Sequence, residues 1–379
     1  MQIVSIIMAC FGVLGAIDYL IGNKFGIGCE FDRAFKLLGV MALTMVGMIV
    51  LAPTIGELLS PVLNAICSVI PIDPSVVAGS LLANDMGGYP LASVLATTTG
   101  GGIFNGLVVG SMLGATVSFT LPFVLTSVKK EKHQLVILGL LCGICVIPVG
   151  SIVSAIILGL NITEILISVL PLLVICILLA LLLWFFPKFC LKAFTIFGHI
   201  IRVIIIFGLV VGIFEAMTGW DIIPHNAPVM DGVTVIFNAT SFMMGAFTLI
   251  NLLSRLLSRP LRAFGKKLGI NEVSAMGFIG TLATNVTTFA SADKMDDKGL
   301  VLNSAFAVSA SWALCGHLAY TMSTVPDALP AVVVGKIVSG IVGLVVALLL
   351  YKTLSKKLAK NSKTTLTTQI DNQTENICK

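Results

Sequence analysis

The sequence predicts an all-α polytopic membrane protein: about nine transmembrane helices and two re-entrant or broken-helix hairpins, arranged as an inverted repeat. Three observations carry that prediction. Only 11% of the 379 residues are charged, against roughly 25% in soluble domains. Hydrophobic residues make up 57%, and the mean hydropathy is +1.06. Apolar runs of about 20 residues recur from end to end, each long enough to cross a ~30 Å hydrocarbon layer as a helix. The first run has no basic leader and no small-residue cleavage site after it, so it is expected to stay as a span.

The runs read as spans at 2–21, 34–55, 103–128, 135–159, 164–187, 193–218, 232–257, 300–320 and 328–351. Two stretches, 58–92 and 258–292, hold apolar pieces too short or too polar to cross. The first contains Pro61, Pro71, Pro74, Gly87, Gly88 and Pro90; the second Pro260, Gly265, Gly269 and Asn285. Each is expected to enter and leave on one face, which a backbone at membrane depth can do only when surrounded by protein or a water-filled cavity.

Charge tests this layout. With the N-terminus outside and each span, but neither hairpin, changing sides, 21 of the 23 Lys and Arg fall in inner connections, at the inner ends of spans (Lys36, Arg255) or in the tail. The other two, Arg202 and Lys336, lie inside spans. The positive-inside rule is thus satisfied with the C-terminus cytoplasmic, and the net charge of +5 needs no nucleic-acid partner. The same arithmetic divides the chain into a first repeat (1–163), a linking span (164–192), a second repeat of opposite orientation (193–351) and a tail (352–379). Gly79-Ser80-Leu81-x-x-Asn84 recurs as Gly280-Thr281-Leu282-x-x-Asn285, and Asn105 and Ser111 recur as Asn303 and Ser309. The tail is first basic, suiting anionic lipid, then polar and expected to be disordered.

Gly106, Gly110 and Gly114, Gly208 with Gly212, and Ser339 with Gly343 give helix faces without bulk, where backbones approach closely in lipid. Such faces serve contacts within and between chains alike, which leaves a homo-oligomer open. Thr97-Thr98-Thr99 with Gly100-Gly101-Gly102 reads as a plain outer loop. Cys142 and Cys145 have redox spacing but no second pair or nearby histidine, so buried packing is preferred.

An ionisable group within a span is a site candidate because its burial costs several kcal/mol unless it is paired or hydrated. Asp18 and Glu215 lie near span ends, within reach of headgroups; Arg202 can snorkel, and His199 reads as interfacial or a satisfied core residue. Asp85 remains, inside Asn84-Asp85-Met86-Gly87-Gly88-Tyr89-Pro90. The glycines and proline should unwind the helix and free carbonyls for a cavity. A carboxylate, an amide (Asn84) and an aromatic face (Tyr89) then suit a small organic cation; the structural alternative is an Asp capping a half-helix. Asn285, Asn303 and Ser309 either complete a polar lining or bond neighbouring helices. His317 is a candidate proton carrier. Lys336 either pairs with Asp85 in the empty site or snorkels to water. No P-loop, zinc-helix, nucleophile-elbow or aspartyl-dyad pattern is present, so neither an enzyme nor a cofactor is expected.

Leu81-Leu82-Ala83-Asn84-Asp85-Met86-Gly87-Gly88 resembles a block of the ethanolamine-utilisation membrane protein EutH family. Ala42 to Met48 with Leu51-Ala52-Pro53, Gly110-Ser111-Met112, Ile147-Pro148-Val149-Gly150, Thr281 to Asn285, Asn303 to Ser309 and Val334-Gly335-Lys336 resemble further blocks. The resemblance implies a bacterial inner-membrane permease moving ethanolamine toward a cytosolic ammonia-lyase pathway. An amine is mostly protonated near neutral pH, which agrees with the cation reading. Two departures stand out: Cys315-Gly316-His317-Leu318 lacks the carboxylate of the family's G-D-H-L, and Thr284-Asn285 replaces a double Asn. The competing readings are a carrier for another small amine coupled to H+ or Na+, and a non-transporting sensor or scaffold.

Overall fold

The computed structural model describes residues 2–69, 72–351 and 353. Pro71 and the rest of the expected disordered tail lie outside them. Among the described residues there are no strands, and eight helices are long and apolar enough to cross a membrane. In chain order the elements begin with α1 (Gln2–Leu20) and α2 (Gly28–Cys67). A first broken hairpin follows, made of α3 (Ser75–Leu81) and α4 (Tyr89–Leu95). Next are α5 (Thr99–Val124), α6 (Lys130–Ile157), α7 (Ile162–Phe185), α8 (Pro187–Thr218) and α9 (Val229–Leu268). A second hairpin is made of α10 (Glu272–Ala283) and α11 (Asn285–Ala290). Then come α12 (Asp297–Ala310), α13 (Gly316–Thr324) and α14 (Pro326–Tyr351).

Three differences from the sequence reading concern breaks. Helices α2 and α9 run on through Pro61 and Pro260, each for 40 residues or roughly 60 Å. The hairpins therefore start about a dozen residues later than composition suggests, since proline is tolerated in helices supported by neighbours. The expected span 300–320 is two half-helices, α12 and α13, separated by a turn in which Trp312 adopts φ +55°. That turn is held by α10: Trp312 N donates to Thr281 O (3.1 Å) and Leu314 N to Leu282 O (3.1 Å). The expected loop at 97–102 is instead the start of α5, because the Thr98 hydroxyl caps it by accepting from Gly101 N at 3.0 Å.

The two hairpins open on opposite faces. Asp73 accepts from the backbone amides of Ser75 (2.9 Å) and Thr97 (3.1 Å) and from both hydroxyls, tying the ends of the first hairpin together. That mouth lies beside the Glu57 end of α2, where Gly56 abuts Val94 and Glu57 pairs with His225 at 2.9 Å. The ends of the second hairpin meet at the other face, with Asn271 N donating to Asp296 (2.9 Å) and Asn271 Nδ2 to Lys294 O (2.8 Å). There Lys132 donates to the carbonyls of Ala292 and Met295, and Arg255 to those of Phe25 and Gly26. Asp18 is part of that same face. It does not reach headgroups: it is buried and accepts the amides of Phe25, Ile27 and Gly28, each at 2.8 Å.

The small-residue faces receive their neighbours closely. A Cβ on Gly47 would come within 1.7 Å of Ile205 O, and one on Gly208 within 2.3 Å of Gly47 O, so α2 and α8 touch backbone to backbone. The face of Gly106, Gly110 and Gly114 meets Tyr89, Asn84 and the Leu82 carbonyl in turn. This bare stripe on α5 is the bed of the first hairpin.

Candidate functional site

Departures from regular helix are concentrated around one point. Ala42–Val46 in α2 and Phe104–Gly114 and Thr116–Thr120 in α5 are π-wound, and Asn84–Gly88 in the hairpin is a kinked turn with non-helical Met86 and Gly87. The π-wound stretches all pack around the hairpin break, Thr116–Thr120 through the Ser118 hydroxyl, with α13 closing another side. Wide winding of this kind is kept where a function needs displaced carbonyls or side chains.

The break has a local cause. Leu82 and Ala83 are extended (ψ 137° and 146°), and Gly87 has φ +106°. A Cβ at Gly87 would lie 2.1 Å from Met48 Cγ, and one at Gly88 2.6 Å from Leu82 O, so neither position admits a side chain. The Ala83 carbonyl accepts from both Met86 N (3.0 Å) and Gly88 N (2.8 Å), and Ala83 N donates to Ser118 Oγ (3.1 Å). The Ala83 carbonyl is thus occupied within the turn, contrary to the expectation that the break leaves its carbonyls free.

Asp85 is partly exposed on this turn, against the amides of its own residue and Met86. Asn84 beside it is 0% exposed, and neither end of its amide has a partner. An unsatisfied buried amide costs about 1–3 kcal/mol, which makes Asn84 a candidate for a polar ligand. Tyr89, one turn on, packs against Gly106 and lines a cavity of about 230 Å³ with Thr97, Thr98 and Thr99 at the hairpin mouth. On the basic face a cavity of about 570 Å³ reaches Gly280, Ala283 and Thr287 of the second hairpin, rimmed by Glu30, Arg33 and Arg255.

Lys336 does not snorkel. It is fully buried and donates to the backbone carbonyl of Ser111, in the π-wound part of α5. No direct ion pair joins it to Asp85, yet the two are within electrostatic reach, as are Lys336 and His317. His317 is buried with Nδ1 unpartnered, its ring 5.3 Å from that of Trp312. Tyr320, which sequence reasoning passed over, is buried with its hydroxyl unpartnered and lies within reach of Asp85 and Tyr89. Its signal was its place three residues after His317, on the same helical face.

The other candidates lie apart. Asn285 gives Nδ2 to Thr120 Oγ1 (2.9 Å) and keeps Oδ1 unpartnered. Asn303 donates to the carbonyls of Ser274 (2.8 Å) and Gly299 (2.9 Å), fastening the second hairpin to α12. Ser309 bonds Ser339 at 2.8 Å, joining α12 to α14. Asn303 and Ser309 are thus bonded between helices in this structure. Asn105 makes the fastening for the first hairpin, donating to Ser75 Oγ at 2.8 Å.

Eight apolar helices long enough to cross a membrane, packed with hairpins that hold unpartnered polar groups, are the build of a multi-pass membrane protein. The chain belongs to the family of the ethanolamine utilisation protein EutH, whose family model matches residues 1–350. A protein of Listeria monocytogenes serotype 1/2a (strain 10403S) named probable ethanolamine permease EutH is 39% identical over 335 residues, 88% of this chain and 90% of that one. A protein of the same name from Salmonella typhimurium (strain LT2) is 33% identical over 376 residues, 88% of this chain and 91% of that one. An uncharacterized Bacillus subtilis (strain 168) protein, YxeR, is 33% identical over 333 residues, again 88% and 90% of the two chains. No solved structure matches the chain.

Proposed function

We propose that this permease is a secondary carrier importing ethanolamine as the protonated amine, by alternating access around the two hairpins. The observation that carries the reading is Asp85 on an unwound turn beside the unpartnered, fully buried amide of Asn84. The carboxylate takes the ammonium as a charge-assisted hydrogen bond. The Asn84 amide takes the hydroxyl, and Tyr89 lines the approach from the hairpin mouth. Asn285, Asn303 and Ser309 are secondary candidates, of which Asn285 keeps an acceptor to offer. The names of the relatives support the substrate.

Two cavities support alternating access, one from each face, ending beside the first and the second hairpin. The matching order of a long helix, α2 or α9, before each hairpin supports an inverted repeat, with α7 as the link. The clustering of Lys132, Arg255 and Arg262 on one face supports a bacterial inner-membrane placement with that face, and the C-terminus, cytoplasmic. The test is uptake of labelled ethanolamine into proteoliposomes at mildly acidic pH, which suppresses leakage of the neutral amine. Saturable uptake above empty vesicles is the expected result; its absence rejects the carrier for this substrate.

A second reading, a carrier for another small amine, has its own observation. At Gly316, where the family motif places a carboxylate, a Cβ would sit at an ordinary 3.4 Å from Trp312. The backbone there thus admits a Cβ, and the carboxylate of the family motif is nonetheless absent. Competition by a panel of small amines distinguishes the two readings.

A further inference from the structure

Lys336 has no task in the binding reading above, and its surroundings give it one. It is 0% exposed at mid-depth on α14, and its ammonium donates to the Ser111 carbonyl. Asp85 from the first hairpin and His317 from α13 are within electrostatic reach of it, while Tyr320 on α13 faces Asp85. The surfaces of α6 and α12 against this part of α14 present Gly150, Ser154 and Ser309, none of which titrates. A buried ammonium bonded to one carbonyl is expensive, and the Asp85 carboxylate within electrostatic reach offsets part of that cost.

We propose that Lys336 is a tethered competitor of the substrate: its ammonium balances Asp85 in the empty carrier, and an arriving amine cation displaces its proton. This rests on the reading of Asp85 as the cation site. Two ammonium groups near one carboxylate, with Lys336 fully buried, carry an uncompensated charge that is relieved when one of the two gives up a proton. Lysine is the residue type that does so when buried. The Nζ–H bond breaks, the electron pair stays on Nζ, and the proton leaves to water on the open side. The neutral amine still has N–H groups to donate to the Ser111 carbonyl, so the side chain keeps its place in both states. After the substrate leaves on the other side, Lys336 takes a proton from that side. One cycle moves one cation in and one proton out, with no net charge transferred.

Proteoliposomes subjected separately to a pH gradient and to a potassium–valinomycin potential test this. Wild-type ethanolamine uptake should rise several-fold with an acidic interior and ignore the potential. In Lys336→Gln the responses should swap: uptake follows an inside-negative potential and ignores the pH gradient. Wild-type uptake that follows the potential, or a Lys336→Gln carrier that keeps the wild-type pH response, overturns the proposal. A second measurement needs no variant. Ethanolamine added to purified wild-type protein in weak buffer with a pH indicator should release about one proton per amine bound; no release overturns the proposal. Counterflow of labelled against unlabelled ethanolamine without any gradient reads the carrier itself. Its presence with no proton release rejects the role of Lys336 alone, and its absence rejects the carrier reading and this proposal with it.

Discussion

The two hairpins share a frame and differ at the tip. Each follows a 40-residue helix, has its mouth closed by a carboxylate (Asp73 or Asp296), and is fastened to the next helix by an asparagine (Asn105 or Asn303). At the tip, the first unwinds over five residues and carries Asp85 and an unpartnered Asn84. The second breaks at Thr284 alone, carries no carboxylate, and spends half of Asn285 on Thr120. The frame is therefore structural, and the charged, unsatisfied tip is the cation site proposed above.

Four substitutions sharpen that contrast, in falling order of effect. Gly87→Ala should cost well above ~1 kcal/mol and abolish uptake, because of its φ of +106° and the Met48 contact at 2.1 Å. Melting temperature and uptake are the readouts, with Gly39→Ala, which meets nothing within 4 Å, as the control. Asn303→Ala should destabilise by about 1–3 kcal/mol by orphaning two carbonyls, whereas Asn84→Ala should raise the melting temperature of substrate-free protein and weaken half-saturation several-fold. Equal stability losses in both would erase the distinction between frame and tip. Asn285→Ala should shift half-saturation by no more than roughly threefold, read from uptake curves.

The smallest effect concerns the second mouth. Burial opposes ionisation of Asp296, but the Asn271 amide, the Ser274 hydroxyl and the Gly299 amide outweigh it and hold the carboxyl below its ordinary range. Its contribution is then present above that range and is lost as pH falls through the lowered folded value. Asp296→Asn should melt lower than wild type at neutral pH, and the difference should shrink as pH falls below the ordinary carboxylate range.

Eight of the nine expected spans, the two broken hairpins and the first tip were legible because their signals are local: apolar length, Gly87-Gly88-Pro90, and one carboxylate in an apolar run. The break between α12 and α13 was not, since Ser311 to Cys315 contains neither glycine nor proline and the turn is fixed by carbonyls of Thr281 and Leu282 about 30 residues away. Continuation of α2 and α9 through prolines was hidden for the same reason. Asp85 and Lys336 could be named as candidates from their cost in lipid, but only packing shows that Lys336 turns to Ser111. Ser309 and Asn303 carried the same chemistry in sequence, and only packing shows that each is bonded to another helix in this structure.

The central claim is that Asp85 receives the ammonium of the substrate. Counterflow of labelled ethanolamine in proteoliposomes bearing wild-type protein or Asp85→Asn tests it most directly, because the substitution keeps size and removes only charge. Loss of about tenfold to a hundredfold in apparent affinity, matching a charge-assisted bond of ~1.5–3 kcal/mol, is the predicted result. Counterflow unchanged in Asp85→Asn, in protein that melts like wild type, would contradict the account.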